Sequence, residues 1–304
     1  MKPAFQTISL IGKYQSPEIA ESLLVLAAFL RNQGVAVLLE EGTAAAVGLN
    51  SHPGGYPVVT YEMIGEQADL AIILGGDGSM LNAARRLAEF DVPLVGVNQG
   101  RLGFMTDIAR DSMIEGITAV LAGDFSRETR FLLSAEVVRG GERVLQTLAL
   151  NDVVVNKGEA GRMIELDVKV DGELLHVLRA DGLIVSTPTG STAYSLSANG
   201  PILHPSVAGI GIVPLSPHAL SNRPITVSDQ SNIEIALLAP HDARVHFDGQ
   251  TRFDMRSGDC VRVTRSKHNI TLVHPPGYSY YAMLREKMRW SSTPRHRAGF
   301  SGNR

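Results

Sequence analysis

Cys260 is the single cysteine in 304 residues, so the chain has no intrachain disulfide and no cysteine-based zinc site. The nine histidines fall at no metal-ligand spacing such as His-Glu-x-x-His, and we expect no metal-ligating cluster among the side chains. A formal net charge of −3 leaves no electrostatic footprint for nucleic acid, and none is expected as a partner. No apolar run is long enough to span a bilayer, so no membrane partner is expected either. The opening Met1-Lys2-Pro3-Ala4-Phe5-Gln6-Thr7 lacks the layout of a signal peptide. Together with the cysteine usage, this leads us to expect a reducing, cytoplasmic setting. Charge is concentrated only near the end, at Arg285, Lys287, Arg289, Arg295, Arg297 and Arg304. Pro294, Gly299 and Gly302 interrupt any helix there, and a solvated tail is expected.

What remains is an ordinary globular composition, 44% hydrophobic and 19% charged, long enough for about two domains. Its most informative stretch is Ala71-Ile72-Ile73-Leu74-Gly75-Gly76-Asp77-Gly78-Ser79, an apolar strand running into a glycine turn with one carboxylate. Glycines at 75, 76 and 78 remove side chains where the backbone must bend and approach a ligand, which frees amide N–H groups to point at phosphate oxygens. The following Ser79 to Leu87 reads as a helix whose N-terminus adds partial positive charge at the same corner. No Gly-Lys-Ser or Gly-Lys-Thr follows, which excludes a P-loop. A tight turn with a solvated aspartate is the bland alternative.

The first 130 residues alternate apolar runs with helical patterns, as in a parallel sheet wrapped by helices. Strands are expected at Thr7 to Ile11, Val35 to Leu39, Ala71 to Leu74 and Leu94 to Val97. A helix capped by Ser16 with Pro17 in its first turn should end at Gly34, and another should run from Ser112 to Ala122. Thr43 to Pro57 reads as a mobile loop. From Leu132 the period becomes two: Ile164, Leu166, Val168 and Val170 alternate with polar residues up to a hairpin turn at Asp171-Gly172. Gly140-Gly141 and Asp248-Gly249 offer two more such turns. The expectation is a Rossmann-like α/β domain plus a mostly antiparallel β domain, with a helix from Ser279 to Arg289 returning to the first. In numbers, the α/β domain would comprise 1–130 with 275–304, and the β domain 131–274.

Three segments carry more small polar residues than strand packing needs. Asn151-Asp152 interrupts an apolar run, and such a pair can read adenine edges and ribose hydroxyls, or simply satisfy a turn. In the segment Asp181 to Ser195, a strand delivers the chain to Pro188-Thr189-Gly190-Ser191-Thr192, where hydroxyls and amides gather. Tyr194 adds a flat surface for a base. Phe104 and Met105 read as core anchors of a loop rather than ligand contacts.

Taken with Asn98-Gln99-Gly100-Arg101-Leu102-Gly103-Phe104, Pro217-His218-Ala219-Leu220 with Arg223-Pro224, and Asp248-Gly249-Gln250, these motifs closely resemble the bacterial NAD kinase family. Gly-Gly-Asp-Gly alone is shared with diacylglycerol and sphingosine kinases and, more loosely, with phosphofructokinases; the combination in this order is specific. The resemblance implies transfer of the ATP γ-phosphate to the 2′-hydroxyl of the adenosine ribose of NAD, giving NADP, with Mg²⁺ or another divalent ion accompanying ATP. It implies a homodimer or homotetramer in which a neighbour often completes the site. Carried onto this chain, Asp77 would be the catalytic base, with Gly75, Gly76 and Gly78 lining the nucleotide. Asn151 and Asp152 would bind ribose or base, and Asp181 would contact the nicotinamide side. Thr192, Ala193, Tyr194, Ser195, Leu196 and Ser197 would form the wall, completed by Arg162, Arg179 and Gln250. Two features depart from the family pattern: aspartate stands at 152 where some members carry glutamate, and the tail beyond Trp290 has no counterpart. A non-catalytic NAD-binding regulator is the rival reading from another class.

Overall fold

The computed structural model describes residues 3–13, 19–48, 55–100, 103–158, 162–238 and 242–290. Elements in the first part are β1 (Thr7–Gly12), α1 (Ala20–Asn32), β2 (Ala36–Glu40), α2 (Glu41–Ala46), β3 (Val58–Val59) and α3 (Tyr61–Gln67). They continue with β4 (Leu70–Gly75), α4 (Asp77–Leu87), β5 (Leu94–Asn98), β6 (Ile108–Ala109) and α5 (Met113–Leu121). The strand-rich part holds β7 (Ser126–Arg139), β8 (Glu142–Ala149), β9 (Asp152–Lys157), β10 (Ile164–Val170), β11 (Glu173–Ala180) and β12 (Gly182–Ser186). After the single turn α6 (Tyr194–Ser197) come β13 (Gly209–Leu215), β14 (Ile225–Ser228), β15 (Ile233–Leu237), β16 (Ala243–Phe247), β17 (Thr251–Met255), β18 (Cys260–His274) and α7 (Tyr280–Met288).

β1 pairs in parallel with β2 and β4, and β4 with β5. These strands are apolar on both faces because helices cover both. On β4, Leu70, Ile72 and Leu74 pack with α1 and α5, while Ala71 and Ile73 pack with α3 and α4. The strand-rich part alternates instead. Leu166 and Val168 of β10 and Ile235 of β15 face Val155 of β9, Val185 of β12 and Phe247 of β16 across one core. Those two faces belong to different sheets, one of twelve strands and one of six in the order β14-β13-β12-β9-β16-β17. All pairs in the six-stranded sheet are antiparallel.

The twelve-stranded sheet is continuous across the change of period, because β18 lies parallel to β5 with Leu272 opposite Leu94 and antiparallel to β7 along its length. The three expected hairpin turns are present, with left-handed φ at both residues of Gly140-Gly141, Asp171-Gly172 and Asp248-Gly249.

Two local expectations are corrected. Thr43 to Ala46 belongs to α2 rather than to a loop, because the Glu40 carboxylate caps it by accepting the N–H groups of Gly42 and Thr43 at 2.9 and 2.7 Å. Helix α4 begins at Asp77, not Ser79. Helix α7, capped by the Ser279 hydroxyl, touches both parts: Lys287 lies over the Phe104 ring at 5.8 Å, and the Tyr280 hydroxyl donates to the Leu203 carbonyl. Ser16, Pro17, residues 49–54, Arg101, Leu102 and the tail beyond Trp290 lie outside the described residues.

Candidate active site

The carboxyl ends of β1, β2, β4 and β5 open into a cleft of about 1100 Å³, the position where parallel α/β sheets bind ligands. Gly75, Gly76, Gly78 and Gln250 line it, as do Lys13, Ser79, Asn82, Arg86 and Arg110. Among the described residues a Cβ at position 76 would meet no atom within 4 Å, so the backbone there is open to a ligand. Gly75 is required for packing, since a Cβ would fall 2.4 Å from the Ser79 hydroxyl oxygen. The glycine turn itself carries no lysine. The structure supplies one from another strand, because Lys13 follows β1 directly and β1 runs beside β4.

Asp77 faces the other way. It lines a smaller pocket of about 140 Å³ together with Phe104, Met105, Arg130, Asn151, Thr189, Thr192, Ala193, Pro205 and Tyr280. Its carboxylate is braced rather than solitary: Oδ2 accepts the Phe104 N–H at 2.8 Å and Oδ1 accepts the Met105 N–H at 2.9 Å. Phe104 and Met105 thus hold the carboxylate through their backbone. The approach works because residue 103 is glycine; a Cβ there would sit 2.1 Å from Asp77 Oδ1. Asn98 shapes the same loop, donating to the Thr106 hydroxyl at 3.1 Å and accepting the Gly100 N–H at 2.6 Å.

Asp248 builds the opposite wall. Its buried carboxylate accepts the N–H groups of Leu150, Asn151 and Asp152 at 3.0, 2.7 and 3.1 Å. Arg85 of α4 lies 3.6 Å from the same carboxylate and donates to Gln250 Oε1 at 2.6 Å, while Gln250 donates to the Gly78 carbonyl at 2.7 Å. The glycine corner is therefore tied to the β16–β17 turn, and that turn to Asn151-Asp152. Among the described residues, the buried side-chain oxygen of Asn151 has no hydrogen-bond partner. Such an acceptor is available to a donor on a ligand. Burial, reinforced by the Asp248 charge, raises the Asp152 pKa to about 7.

Several expected residues lie elsewhere. Tyr194 and Ser197 line a separate cavity with Pro217 and Arg223, and Ser195 is buried. Leu196, between them on α6, is partly buried and lines neither the cleft nor the smaller pocket. Arg162 is exposed ahead of β10. Asp181 forms an ion pair with Lys157 at 2.7 Å, at the end of β12 remote from Asp152: Ser186 pairs with Asp152, but Gly182 with Asn156. Four residues of strand, about 14 Å, separate those two positions. Arg179 is exposed on the outer strand β11. Within one chain, then, Asp77 and Asn151 converge on the small pocket, while Arg162, Arg179 and Asp181 do not.

Residues 8–125 match the model of the ATP-NAD kinase N-terminal domain and residues 150–275 that of the ATP-NAD kinase C-terminal domain. The NAD kinase of Aromatoleum aromaticum is 60% identical over 295 residues, covering 97% of both chains. The chain belongs to the NAD kinase family. The NAD kinase of an Azoarcus species is likewise 60% identical, over 97% of this chain and all of its own. Identity at this level over the full length carries the activity, so the chain is an ATP-dependent NAD kinase. The fold is shared more widely: yeast NADH kinase, solved with NADH, superposes with a TM-score of 0.87 at 24% identity over 97% of this chain and 90% of its own. An Archaeoglobus fulgidus NAD kinase solved with ATP gives 0.72 at 24% identity over 93% and 99% of the two chains.

Proposed function

We propose that the two cavities flanking the Gly-Gly-Asp-Gly corner divide the substrates of this NAD kinase, with ATP phosphates in the larger cleft and the adenosine ribose of NAD at Asp77. The observation that carries this reading is that neighbouring residues of one turn face opposite ways: Gly75, Gly76 and Gly78 line the cleft, and Asp77 lines the pocket. Phosphoryl transfer asks mainly for positioning and for positive potential around the moving group. Amides at the start of α4, together with Lys13, Arg86 and Arg110 on the cleft wall, supply that potential. Asp77 accepts the proton of the ribose 2′-hydroxyl as the oxygen attacks the γ-phosphorus, and ADP leaves on the cleft side.

Among the described residues no group of three or more His, Cys, Asp or Glu side chains gathers to hold a metal ion. A divalent ion such as Mg²⁺ would accompany ATP, would supply charge at its phosphates, and counts as part of the substrate. Asn151, with its free side-chain oxygen, and Asp152 read the adenosine half, while Thr192 and Ala193 close over it.

A second copy completes the site. β11 is the outermost strand of the large sheet and exposes Leu174 and Val177, an apolar edge of the kind that a paired subunit covers. Arg179 and Asp181 close the same edge and would reach a neighbour's pocket from there. A reducing cytoplasmic setting suits the lone Cys260, and no described helix is long and apolar enough to cross a membrane. NADP formation from NAD, ATP and Mg²⁺, with KM for each substrate compared in cleft and pocket variants, tests the division. Cleft variants should move KM for ATP and pocket variants KM for NAD; a crossed pattern would overturn it.

A further inference from the structure

Four charged side chains that the reaction scheme leaves unused form one buried chain behind the acceptor pocket. His274, the last residue of β18, places Nδ1 3.0 Å from Asp107 Oδ2 and Nε2 3.2 Å from Glu128 Oε2. Glu128 Oε2 also accepts from Arg130 Nη2 at 2.8 Å, and Arg130 Nη1 donates to the Thr189 hydroxyl at 3.1 Å. Their positions follow from strand register. Leu272 pairs with Glu128 and His274 with Ser126, so 126, 128, 130 and 274 share one face of the β7–β18 ribbon.

His274 is 2% exposed and Arg130 4% exposed. A ring with both nitrogens against carboxylates donates from both only as an imidazolium, so the geometry favours the protonated ring. Burial alone would lower its pKa, but the hydrogen bonds and charges of Asp107 and Glu128 outweigh this and raise it. Burial would likewise raise the Glu128 pKa, yet His274 and Arg130 hold it down to about 2. Tyr278 stacks flat on the imidazolium, with ring centroids 3.7 Å apart and planes 5° apart. So many fixed charges exceed what a strand pair needs for pairing, and they converge on a single hydroxyl.

That hydroxyl has one consequence for the site. A guanidinium has no acceptor, so Thr189 Oγ1 must accept from Arg130 and its own proton must point elsewhere. Thr189 and Arg130 both line the pocket that holds Asp77. We propose that Arg130 is a positioning residue for the NAD kinase reaction: locked by Glu128 and His274, it orients the Thr189 hydroxyl as a hydrogen-bond donor to an acceptor atom of the bound dinucleotide. The proposal rests on the reading that this pocket takes NAD.

The test is steady-state kinetics of the full chain with Thr189→Val, Thr189→Ser, Arg130→Met and the Thr189→Val/Arg130→Met double variant. Loss of one such hydrogen bond should raise KM for NAD roughly tenfold in Thr189→Val, with kcat and KM for ATP within about twofold of the parent. Thr189→Ser keeps the hydroxyl and should restore the parental KM. Arg130→Met should reproduce the Thr189→Val effect, and the double variant should be no worse than either single one. If Arg130→Met does not fold, the Val and Ser pair at 189 decides. Unchanged KM for NAD in Thr189→Val, or independent losses in the double variant, would overturn the positioning role while leaving the pocket assignment intact. A rise confined to KM for ATP would overturn the pocket assignment and the proposal with it.

Discussion

Asp77 Oδ1 accepts the backbone N–H of Met105 at 2.9 Å, so the carboxylate at the glycine corner is fixed by a loop 28 residues away in sequence. Its partner oxygen takes the neighbouring N–H of Phe104 at 2.8 Å. A carboxylate oxygen offers two acceptor sites, so each keeps capacity for one further donor. With Asp77 as the proposed base, this bracing would hold it in place before substrate arrives, the positioning that phosphoryl transfer depends on.

Gly103 makes that bracing possible, and Gly103→Ala should break it. The added methyl would lie 2.1 Å from Asp77 Oδ1 and 2.4 Å from the Thr106 hydroxyl oxygen, so the loop or the carboxylate must move. We expect kcat to fall by about 10²-fold, the penalty of a misplaced reacting group, with KM for ATP little changed. Parental kcat in Gly103→Ala would show that the loop does not set the position of Asp77.

Asp248 anchors the other wall. Its carboxylate is the shared acceptor for three backbone N–H groups and lies beside Arg85. Asp248→Ala leaves those donors without their acceptor and the partly buried Arg85 without its counter-charge, at a cost of about 3–5 kcal/mol. Denaturant unfolding should show that loss, and KM for NAD should rise because Asn151 and Asp152 lose their register. A loss below about 1 kcal/mol would mean that water replaces the carboxylate.

Asp152 gives the site a pH dependence. Its pKa near 7 in the folded chain lies above the unfolded value. The native state therefore holds an extra proton between about 3.9 and the folded value, and stability declines as pH rises through that window. With Asp152 on ribose hydroxyls as proposed, affinity should move in the opposite sense, because the ionised carboxylate is the better acceptor. KM for NAD should fall as pH rises through about 7 and become flat in Asp152→Asn. An unchanged profile in that variant would assign the dependence to another group.

The larger cleft is tested at Lys13. Lys13→Met removes a cation from the cleft wall, and KM for ATP should rise roughly ten- to a hundredfold while KM for NAD stays within about twofold. Equal effects on both substrates would contradict the division of the cavities.

The sequence made legible whatever depends on local pattern. Strands β1, β2, β4 and β5 were readable as apolar runs, and the hairpin at Asp171-Gly172 from two residues that tolerate positive φ. Asn151 stood out as a polar residue inside an apolar run, and Asp77 as the one carboxylate of a glycine turn. Contacts that exist only after folding were hidden. Lys13 reaches the cleft because β1 and β4 are neighbours, and nothing adjacent to it in the chain says so. The Thr43 region looked like a loop because its helix is short and capped by a glutamate rather than by serine or threonine. Arg130 and His274 sit in ordinary alternating strands, and only the register of β7 against β18 brings them together. Asp181 illustrates the converse: its motif is plain in sequence, yet within one chain it pairs with Lys157 away from the pocket.

The most direct measurement is NADP formation by the parent chain and by Asp77→Asn with NAD, ATP and Mg²⁺, alongside NAD binding and thermal unfolding of both. Asparagine keeps one of the two acceptor atoms and the shape of the side chain, so folding and NAD affinity should survive while kcat falls by about 10²–10⁴-fold. Near-parental kcat in a folded Asp77→Asn that still binds NAD would contradict the assignment of Asp77 as the base.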